Sequence, residues 1–437
     1  MPEVSIIGGG LAGCEAALQL SAAGYQVQLY EMRPQIQTPA HQSACLAELV
    51  CSNSFKSTRL DTGAGLLKAE LSMMGSRLLE IALSCSVAAG HALAVDRLLF
   101  ANTVTQAIAN NPKITLHQEE LKEIPPGMAI IATGPLTSDA MMLTLADLLG
   151  EQQLFFFDAI APIIDADSID YEVVYAKARY DKGEPDYLNC AFNREQYYEF
   201  VDALVDGEKH SVHEFENAFF NGQSFSFYEN CMPIEELARR GRDTLRHGVM
   251  RPMGLELPAT GQKAFAVLQL RAENSDRTAF NLVGCQTMLR YPEQKRIFRL
   301  IPGLGNASFL RFGSIHRNAY LNTPHLVSDN LELKARPNTW VAGQLSGVEG
   351  YVESIASGLI TARIISQKMS ILPAETILGQ LWRRLITEPD KRGFQPVNAN
   401  FGLLPALPDS VRDKKLKKEL LSQRSLDALK TFLTFEH

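Results

Sequence analysis

Long hydrophobic runs are missing from this sequence of 437 residues. No apolar stretch reaches the ~20 residues that a membrane-spanning helix requires, so we predict a protein without membrane association. We also expect no leader of the secretory type, because a predicted strand already begins at about residue 3. These two absences lead us to expect a cytoplasmic protein.

Cysteine and positive charge are both scarce. The seven cysteines include no C-x-x-C pair, which predicts reduced thiols and no metal site. Basic residues number 42 against 49 acidic ones, and the net charge of −7 disfavours a general polyanion-binding protein. A local basic patch is still compatible with this total, because net charge does not report how charges are distributed.

A glycine-rich turn near the start of the chain is the most informative feature that is present. Residues 6–13 read I-I-G-G-G-L-A-G, between an apolar strand and an alanine-rich helix. In such a turn the first glycine makes the tight bend, the second admits a pyrophosphate to the backbone, and the third lets the helix pack closely. Glu31 ends the next strand, where an acidic residue accepts from a ribose hydroxyl. We therefore predict a dinucleotide site that contains Gly8, Gly9, Gly10, Leu11, Ala12, Gly13 and Glu31.

Two later segments point to FAD rather than NAD as the tightly held dinucleotide. A buried strand runs into Ala132-Thr133-Gly134, as in flavoproteins of the two-dinucleotide-fold type, where the chain passes the adenine dinucleotide again. Near the C-terminus a second strand ends at Gly343, and a glycine-rich turn precedes a helix from Tyr351. A helix N-terminus suits a pyrophosphate or the electron-rich edge of a flavin. The predicted FAD contacts in these segments are Thr133, Gly134, Gly343, Gln344, Gly347 and Val348.

The predicted fold class is α/β, with a Rossmann-like FAD-binding domain interrupted by a large inserted α/β substrate domain. We place the N-terminal part of the FAD domain at residues 1–149 and the aromatic-rich insertion, expected to bind substrate and tRNA, at 150–325. The C-terminal part, 326–437, ends in a basic tail that reads as helical from Leu403 to Phe435. The apolar pattern also predicts one helix over residues 64–83.

Several strings, spread over nearly the whole chain, together match one family. The strings are Tyr30-Glu-Met-Arg-Pro34, Leu46-Ala-Glu-Leu-Val-Cys-Ser-Asn-Ser54, Ala92-Leu-Ala-Val-Asp-Arg97, Asp158-Ala-Ile-Ala-Pro162, Tyr180-Asp-Lys-Gly183, Cys231-Met-Pro-Ile-Glu235, Ala238-Arg-Arg-Gly-Arg-Asp-Thr-Leu245, Ile301-Pro-Gly-Leu304, His316-Arg-Asn318 and Gly343-Gln-Leu-Ser-Gly-Val-Glu-Gly-Tyr-Val-Glu353. With these strings the chain resembles the folate- and FAD-dependent tRNA (uracil-5-)-methyltransferases, or TrmFO family. Within the first string, Arg33 is assigned to the FAD site. One departure is Gly284-Cys-Gln-Thr-Met288, where the family is expected to have Gly-Phe-Gln-Thr-His, so a histidine role is not carried over.

The resemblance implies methylation of C5 of a T-loop uridine, position 54, in tRNA. It implies 5,10-methylenetetrahydrofolate as carbon donor, FAD as cofactor, and NADH or NADPH as reductant. It also implies that Cys231 and Cys51 both serve the reaction, with Cys231 favoured as the nucleophile that adds to C6. A thiolate suits this step, because adding it to C6 turns the ring into an enolate that is nucleophilic at C5.

The partner expected for such an enzyme is the T-arm of tRNA, and no obligate protein partner is evident. Three groups of residues could bind phosphates: a run of arginines, a second basic group and the lysines of the tail. They are Arg239, Arg240, Arg242, Arg246, Arg251, Lys295, Arg296, Arg299, Arg317, Lys414, Lys415, Lys417 and Lys418. Three alternatives remain at this point: a ribosomal-RNA uracil-5 methyltransferase of the same family, an FAD- and folate-dependent protein that modifies the tRNA wobble uridine, and a non-enzymatic FAD-binding RNA module.

Overall fold

The structure is a computed structural model that describes residues 1–38, 40–150, 153–181, 184–210, 232–367, 369–389 and 393–435. Among these residues no helix has the length and apolarity needed to cross a membrane.

The strands, numbered along the chain, are β1 (Glu3–Ile7), β2 (Gln26–Tyr30), β3 (Ser54–Ser57), β4 (Ser86–Val87), β5 (Ala92–Val95), β6 (Ile114–His117), β7 (Met128–Ile131), β8 (Gln153–Ala159), β9 (Ile163–Asp165), β10 (Tyr175–Ala176), β11 (Tyr187–Phe192), β12 (Ala266–Ala272), β13 (Ala279–Leu282), β14 (Phe309–Arg311), β15 (Ile315–Leu321) and β16 (Thr339–Val341). The helices are α1 (Leu11–Ala22), α2 (Gly63–Met73), α3 (Arg77–Ser84), α4 (Arg97–Ala109), α5 (Asp139–Leu149), α6 (Arg194–Asp206), α7 (Ile234–Arg239), α8 (Thr244–His247), α9 (Tyr291–Phe298), α10 (Thr323–Leu326), α11 (Tyr351–Gln367), α12 (Ile377–Ile386) and α13 (Lys414–Phe435).

A five-stranded parallel sheet in the order β16-β7-β1-β2-β6 forms the first layer. Its central strands are buried without interruption, as at residues 4–7 of β1, because helices cover both faces of a parallel sheet. Helix α11 comes from near the C-terminus and packs on α1 at Gly358, where a Cβ would lie 2.3 Å from the Ala12 carbonyl oxygen. The sheet is therefore completed by chain from both ends of the sequence, as the fold class predicted.

A six-stranded antiparallel sheet, β10-β11-β12-β13-β9-β14, lies between these two parts in the sequence. It has its own hydrophobic core, in which Phe192, Phe200 and Phe298 are fully buried. Strands β8 and β15 pair antiparallel and lead into and out of this region. Separate cores fit an inserted domain, and its limits at 150 and 325 remain predictions.

Two sequence-based helix predictions are wrong in their bounds. The helix expected over 64–83 is two helices, α2 and α3, because Gly75 adopts φ +72° and Ser76 then caps α3 by accepting from the Leu79 amide. The tail helix begins at Lys414 rather than Leu403, since Pro405 and Pro408 precede it. Asp413 caps it by accepting from the amides of Lys415 and Leu416.

The carboxylate of Glu70 in α2 joins three helices and gives a prediction on stability. It is completely buried and accepts hydrogen bonds from the Ile377 and Leu378 amides at the start of α12, and from the Ser425 hydroxyl in α13. Glu70→Ala leaves three buried donors without an acceptor, so we expect a loss of about 3 kcal/mol in the free energy of unfolding. Chemical denaturation measures the loss. The control Glu80→Ala removes a carboxylate that is 74% exposed and should leave the denaturation midpoint almost unchanged.

Candidate functional site

A cleft of about 990 Å³, open to solvent, lies at the carboxyl ends of β1, β7 and β16. This edge is where open parallel sheets bind their ligands. The sequence-predicted residues that line it are Gly8, Gly10, Leu11, Ala12, Glu31, Arg33, Thr133, Gly134, Gly343 and Gln344. Segments separated by more than 300 residues thus meet at one place, although their contact with FAD itself stays a prediction.

The glycines of the first turn have different surroundings. Gly8 adopts φ +107°, and a Cβ there would lie 2.4 Å from the Ala132 carbonyl oxygen. A Cβ on Gly13 would lie 1.9 Å from the Gly8 carbonyl oxygen, so this glycine allows α1 to pack against the turn. A Cβ on Gly10 meets no atom within 4 Å. Gly8 and Gly13 are therefore required by the fold, whereas Gly10 leaves space in the cleft for a ligand.

Glu31 holds the turn from the end of β2. Its carboxylate accepts from the Gly9 amide at 2.9 Å, from the Arg33 amide at 3.1 Å and from Arg33 Nε at 2.8 Å. Burial opposes ionisation of Glu31, but the hydrogen bonds and charge of Arg33 outweigh it and lower the pKa of the carboxyl. Arg33 is itself buried and also pairs with Glu48 at 3.2 Å. An ionised acceptor therefore stands at the cleft wall, and its contact with a ribose hydroxyl stays a prediction.

Glu31→Gln should lower the free energy of unfolding by about 2 kcal/mol at pH 7, because a charged acceptor for two amides and a buried guanidinium becomes neutral. The lowered pKa sets the sign of the pH dependence. The stability that ionised Glu31 contributes is present above its usual value of 4.5 and is lost as the pH falls through the folded pKa. Thermal unfolding from pH 7 to 3 should show the difference between wild type and variant shrinking with acid. Glu119→Gln, which changes an exposed carboxylate at the same cleft, serves as the control.

The C-terminal wall of the cleft is built by Gly343 and the turn before α11. The Gly343 amide donates to Ser357 Oγ at 3.0 Å, and Gln344 Nε2 donates to Glu349 at 2.6 Å. Gly347 adopts φ +94° and lies against Phe394, and Val348 bridges to Val397. Four of the predicted residues do not line the cleft: Gly9, Gly13, Gly347 and Val348. Among the described residues, their role is to set the backbone conformation of the turns that form it.

Cys51 belongs to a segment that two arginines and a tyrosine fix beside the cleft. The Tyr351 hydroxyl accepts from the amides of Cys51 at 2.8 Å and Ser52 at 3.1 Å, and Tyr351 lines the cleft together with Val50. Arg97 donates to the Leu49 carbonyl, and Arg311 donates to the Val50 carbonyl at 2.7 Å. Both guanidinium groups also interact electrostatically with the Cys51 sulfur. Nearby positive charge favours a thiolate, so this surrounding suits a reactive cysteine.

Cys231, the other predicted catalytic residue, lies outside the described residues. Of the arginines that follow it, Arg242 pairs with Asp202 and lies over the Tyr198 ring, 4.5 Å from the centroid. Arg246 lies 3.8 Å from the Phe265 centroid, and Arg239 pairs with Glu236 at 3.4 Å. The cluster is thus partly neutralised by its own neighbours, which weakens the sequence-based argument that it forms an RNA-binding surface.

Four residues at or beside the cleft received no role in the sequence analysis: His41, Arg97, Arg311 and Tyr351. His41 lines it, and burial followed by the charge of Arg33 lowers the pKa of the imidazole to about 4, so the ring is neutral at pH 7. Arg311 and Tyr351 hold the Cys51 segment as described above. Arg97 and Tyr351 lie in strings that resemble the family, so the sequence did single out their segments. His41 is a lone histidine in a loop, and no sequence pattern points to it.

Known proteins match this chain over its full length. Residues 3–372 match the family model GIDA, glucose inhibited division protein A. Curated relatives named methylenetetrahydrofolate–tRNA-(uracil-5-)-methyltransferase TrmFO include one from Brevibacillus brevis, 48% identical, with 100% of this chain and 99% of the relative covered. Another from Moorella thermoacetica is 49% identical, with 97% of each covered, and one from Bacillus subtilis is 46% identical, with 98% of each covered.

The solved structures agree on the fold. The crystal structure of Aquifex aeolicus GidA superposes with a TM-score of 0.68 at 14% identity, covering 98% of this chain and 73% of that one. At this identity the match supports the fold alone. The curated relatives far exceed that similarity, and we conclude that the chain belongs to the TrmFO family.

Proposed function

We propose that this protein methylates C5 of uridine 54 in the T-loop of tRNA, with 5,10-methylenetetrahydrofolate as carbon donor, FAD as cofactor and NADH or NADPH as reductant. The observation that carries the proposal is the cleft itself, in which the glycine turn, Glu31 and the Cys51 segment meet in a chain of this family. The proposed reaction is the one stated in the names of the relatives, and the residues of the cleft form a site that suits it.

FAD fits the donors and acceptors at the cleft. The open space above Gly10 and the amides at the start of α1 suit a pyrophosphate, and Glu31 suits a ribose hydroxyl. Thr133, Gly134, Gly343 and Gln344 line the same cleft. The donor delivers carbon at the oxidation level of formaldehyde, so a methyl group requires two further electrons, and bound FAD supplies that hydride chemistry.

The chain's own part in the reaction is to activate and orient a thiolate. Cys231 adds to C6 of the uracil, which makes C5 nucleophilic, and Cys51 assists at the flavin or as an acid or base. Arg97 and Arg311 favour the thiolate of Cys51 by their charge, and Tyr351 fixes its backbone. The imidazole of His41 is neutral at pH 7, so it adds no positive charge to the cleft near Arg33. The target base must leave its stack to reach this cleft, as for other enzymes that act on a nucleobase.

Nucleoside analysis of RNA from a strain of the source organism without this gene tests the proposal. We expect tRNA to lose 5-methyluridine while ribosomal RNA keeps its own, and the gene supplied in trans should restore it. Loss from ribosomal RNA with unchanged tRNA would support the ribosomal alternative. Loss of a wobble-uridine modification would support the other, and either result contradicts the proposal.

A further inference from the structure

A column of three stacked aromatic rings stands on the inserted domain. The rings of Tyr291 and Phe312 are 4.8 Å apart with 20° between their planes, and those of Phe312 and Phe309 are 5.2 Å apart with 14°. The inner end is anchored, because Phe309 contacts the fully buried Phe298. The outer end is open, because Tyr291 is 50% exposed. The rings therefore offer a rigid, parallel face to solvent.

This column lies next to the cleft. Phe312 is flanked by Arg311, whose guanidinium donates to the Val50 carbonyl beside Cys51. On its other side, Gly313 exchanges hydrogen bonds with the side chain of Gln294 in α9, at 2.7 and 2.8 Å. Tyr291 begins the same helix. The column is thereby fixed on one side to the cleft wall and on the other to α9.

Positive charge surrounds the open end. Tyr291 and Lys295 are four residues apart in α9, so they share a face of that helix, and both are exposed. Arg299 follows at the C-cap, and its guanidinium donates to the Ala307 carbonyl at 3.3 and 3.0 Å. Lys295 Nζ lies 5.6 Å from the Phe312 centroid, and exposed Arg290 stands at the N-cap position of the helix without a side-chain capping hydrogen bond. The carboxylate of Glu293 on this helix is already engaged by Arg296, at 3.0 and 2.6 Å. His210 packs edge-on against Tyr291, 5.9 Å away.

We propose that the exposed ring of Tyr291 stacks on an unpaired nucleobase of the RNA substrate that neighbours the target uridine, with Lys295 and Arg290 contacting the adjacent phosphates. Parallel aromatic rings with cations around them are how proteins hold unstacked bases of single-stranded RNA. The position beside Val50 and Cys51 suits a base next to one inserted in the cleft. This inference rests on the proposed function, because it requires an RNA substrate, and it adds the surface that receives the loop.

The test measures binding of a T-arm hairpin with 2-aminopurine in its loop to the holoenzyme, with a duplex of equal length and no loop for comparison. Stacking should quench the 2-aminopurine fluorescence. Tyr291→Ala should raise the Kd for the hairpin about tenfold and remove the quenching, because a base–aromatic stack contributes about 1–3 kcal/mol. Tyr291→Phe keeps the ring and should bind and quench like wild type. Tyr171→Ala removes an equally exposed ring, 54% accessible, elsewhere on the inserted domain and should change nothing.

Normal hairpin binding and quenching by Tyr291→Ala would overturn the inference, as would equal weakening for hairpin and duplex. A changed sedimentation coefficient of Tyr291→Ala with unchanged RNA binding would assign the surface to a protein contact and overturn it as well. The flavin absorption of each variant checks that it is folded. If the wild-type enzyme binds no hairpin and forms no 5-methyluridine, the proposed function fails. This failure is distinguishable from failure of the inference about Tyr291, because it is measured on the wild-type protein alone.

Discussion

Cys231→Ala is expected to abolish methylation, by about 10³-fold or more, and to leave FAD bound. The reason is chemical: without a nucleophile at C6, uracil C5 cannot attack the carbon donor. A hairpin RNA with 5-fluorouridine at the target position should form a covalent complex with the wild-type protein, because fluorine cannot leave as a proton does. Gel electrophoresis and peptide mass spectrometry should place the adduct on Cys231, and Cys231→Ala should form none.

Cys51→Ala should also abolish methylation, by a different route. Because its segment lies beside the cleft between Arg97, Arg311 and Tyr351, we also expect an altered flavin spectrum or a slower flavin reduction. Cys45→Ala is the matched control, since Cys45 is six residues away with similar partial exposure and its thiol donates to Asn102 instead. An adduct on Cys51 with Cys231 dispensable would exchange the two roles. Full turnover by both single variants would reject thiolate catalysis.

Gly10→Val should release FAD while the protein stays folded, with an affinity at least about 100-fold lower. The backbone there has φ −79° and ψ −169°, which valine adopts, and a Cβ meets no protein atom within 4 Å. The added side chain instead occupies the space that we assign to the pyrophosphate, so the loss arises from contact with the ligand. Flavin retention on gel filtration and titration of apoprotein with FAD measure the effect.

Two other glycines separate ligand contact from folding. A Cβ on exposed Gly305 also meets nothing within 4 Å, so Gly305→Val should keep both fold and flavin. Gly13→Val places its Cβ 1.9 Å from the Gly8 carbonyl oxygen and should prevent folding rather than merely releasing FAD. Full FAD occupancy in Gly10→Val would remove the basis for assigning the turn to the dinucleotide.

Local patterns in the sequence predicted the parallel sheet and the position of the cleft. The glycine spacing, Glu31 and the two strands that end in glycine each specify a backbone geometry that a short segment imposes by itself, and the structure brings these segments together. The helix over 64–83 failed because an apolar face continues across Gly75 although the backbone turns there. The antiparallel pairing of the inserted sheet was not predicted, since it depends on contacts between distant strands.

The electrostatic surroundings of Cys51 also could not be predicted from local sequence patterns. Arg311 and Tyr351 are more than 200 residues from both Cys51 and Arg97, and only folding brings these charges and the hydroxyl to one segment. The aromatic column shows the same limit, because Phe309 and Phe312 are close in sequence but Tyr291 joins them through the packing of α9. The arginine run after Cys231 was easy to see in the sequence, yet Arg242 and Arg246 are engaged with neighbouring rings and carboxylates.

The source of the methyl carbon tests the account most directly. Purified protein is incubated with unmodified tRNA, NADPH and 5,10-methylenetetrahydrofolate that carries a ¹³C-labelled methylene group, and the nucleosides are analysed by mass spectrometry. We predict one ¹³C in 5-methyluridine at position 54, dependent on FAD, and no label transfer from S-adenosylmethionine supplied in its place. Unlabelled tRNA after complete incubation with flavin-loaded protein, or methylation only with S-adenosylmethionine, would contradict the account.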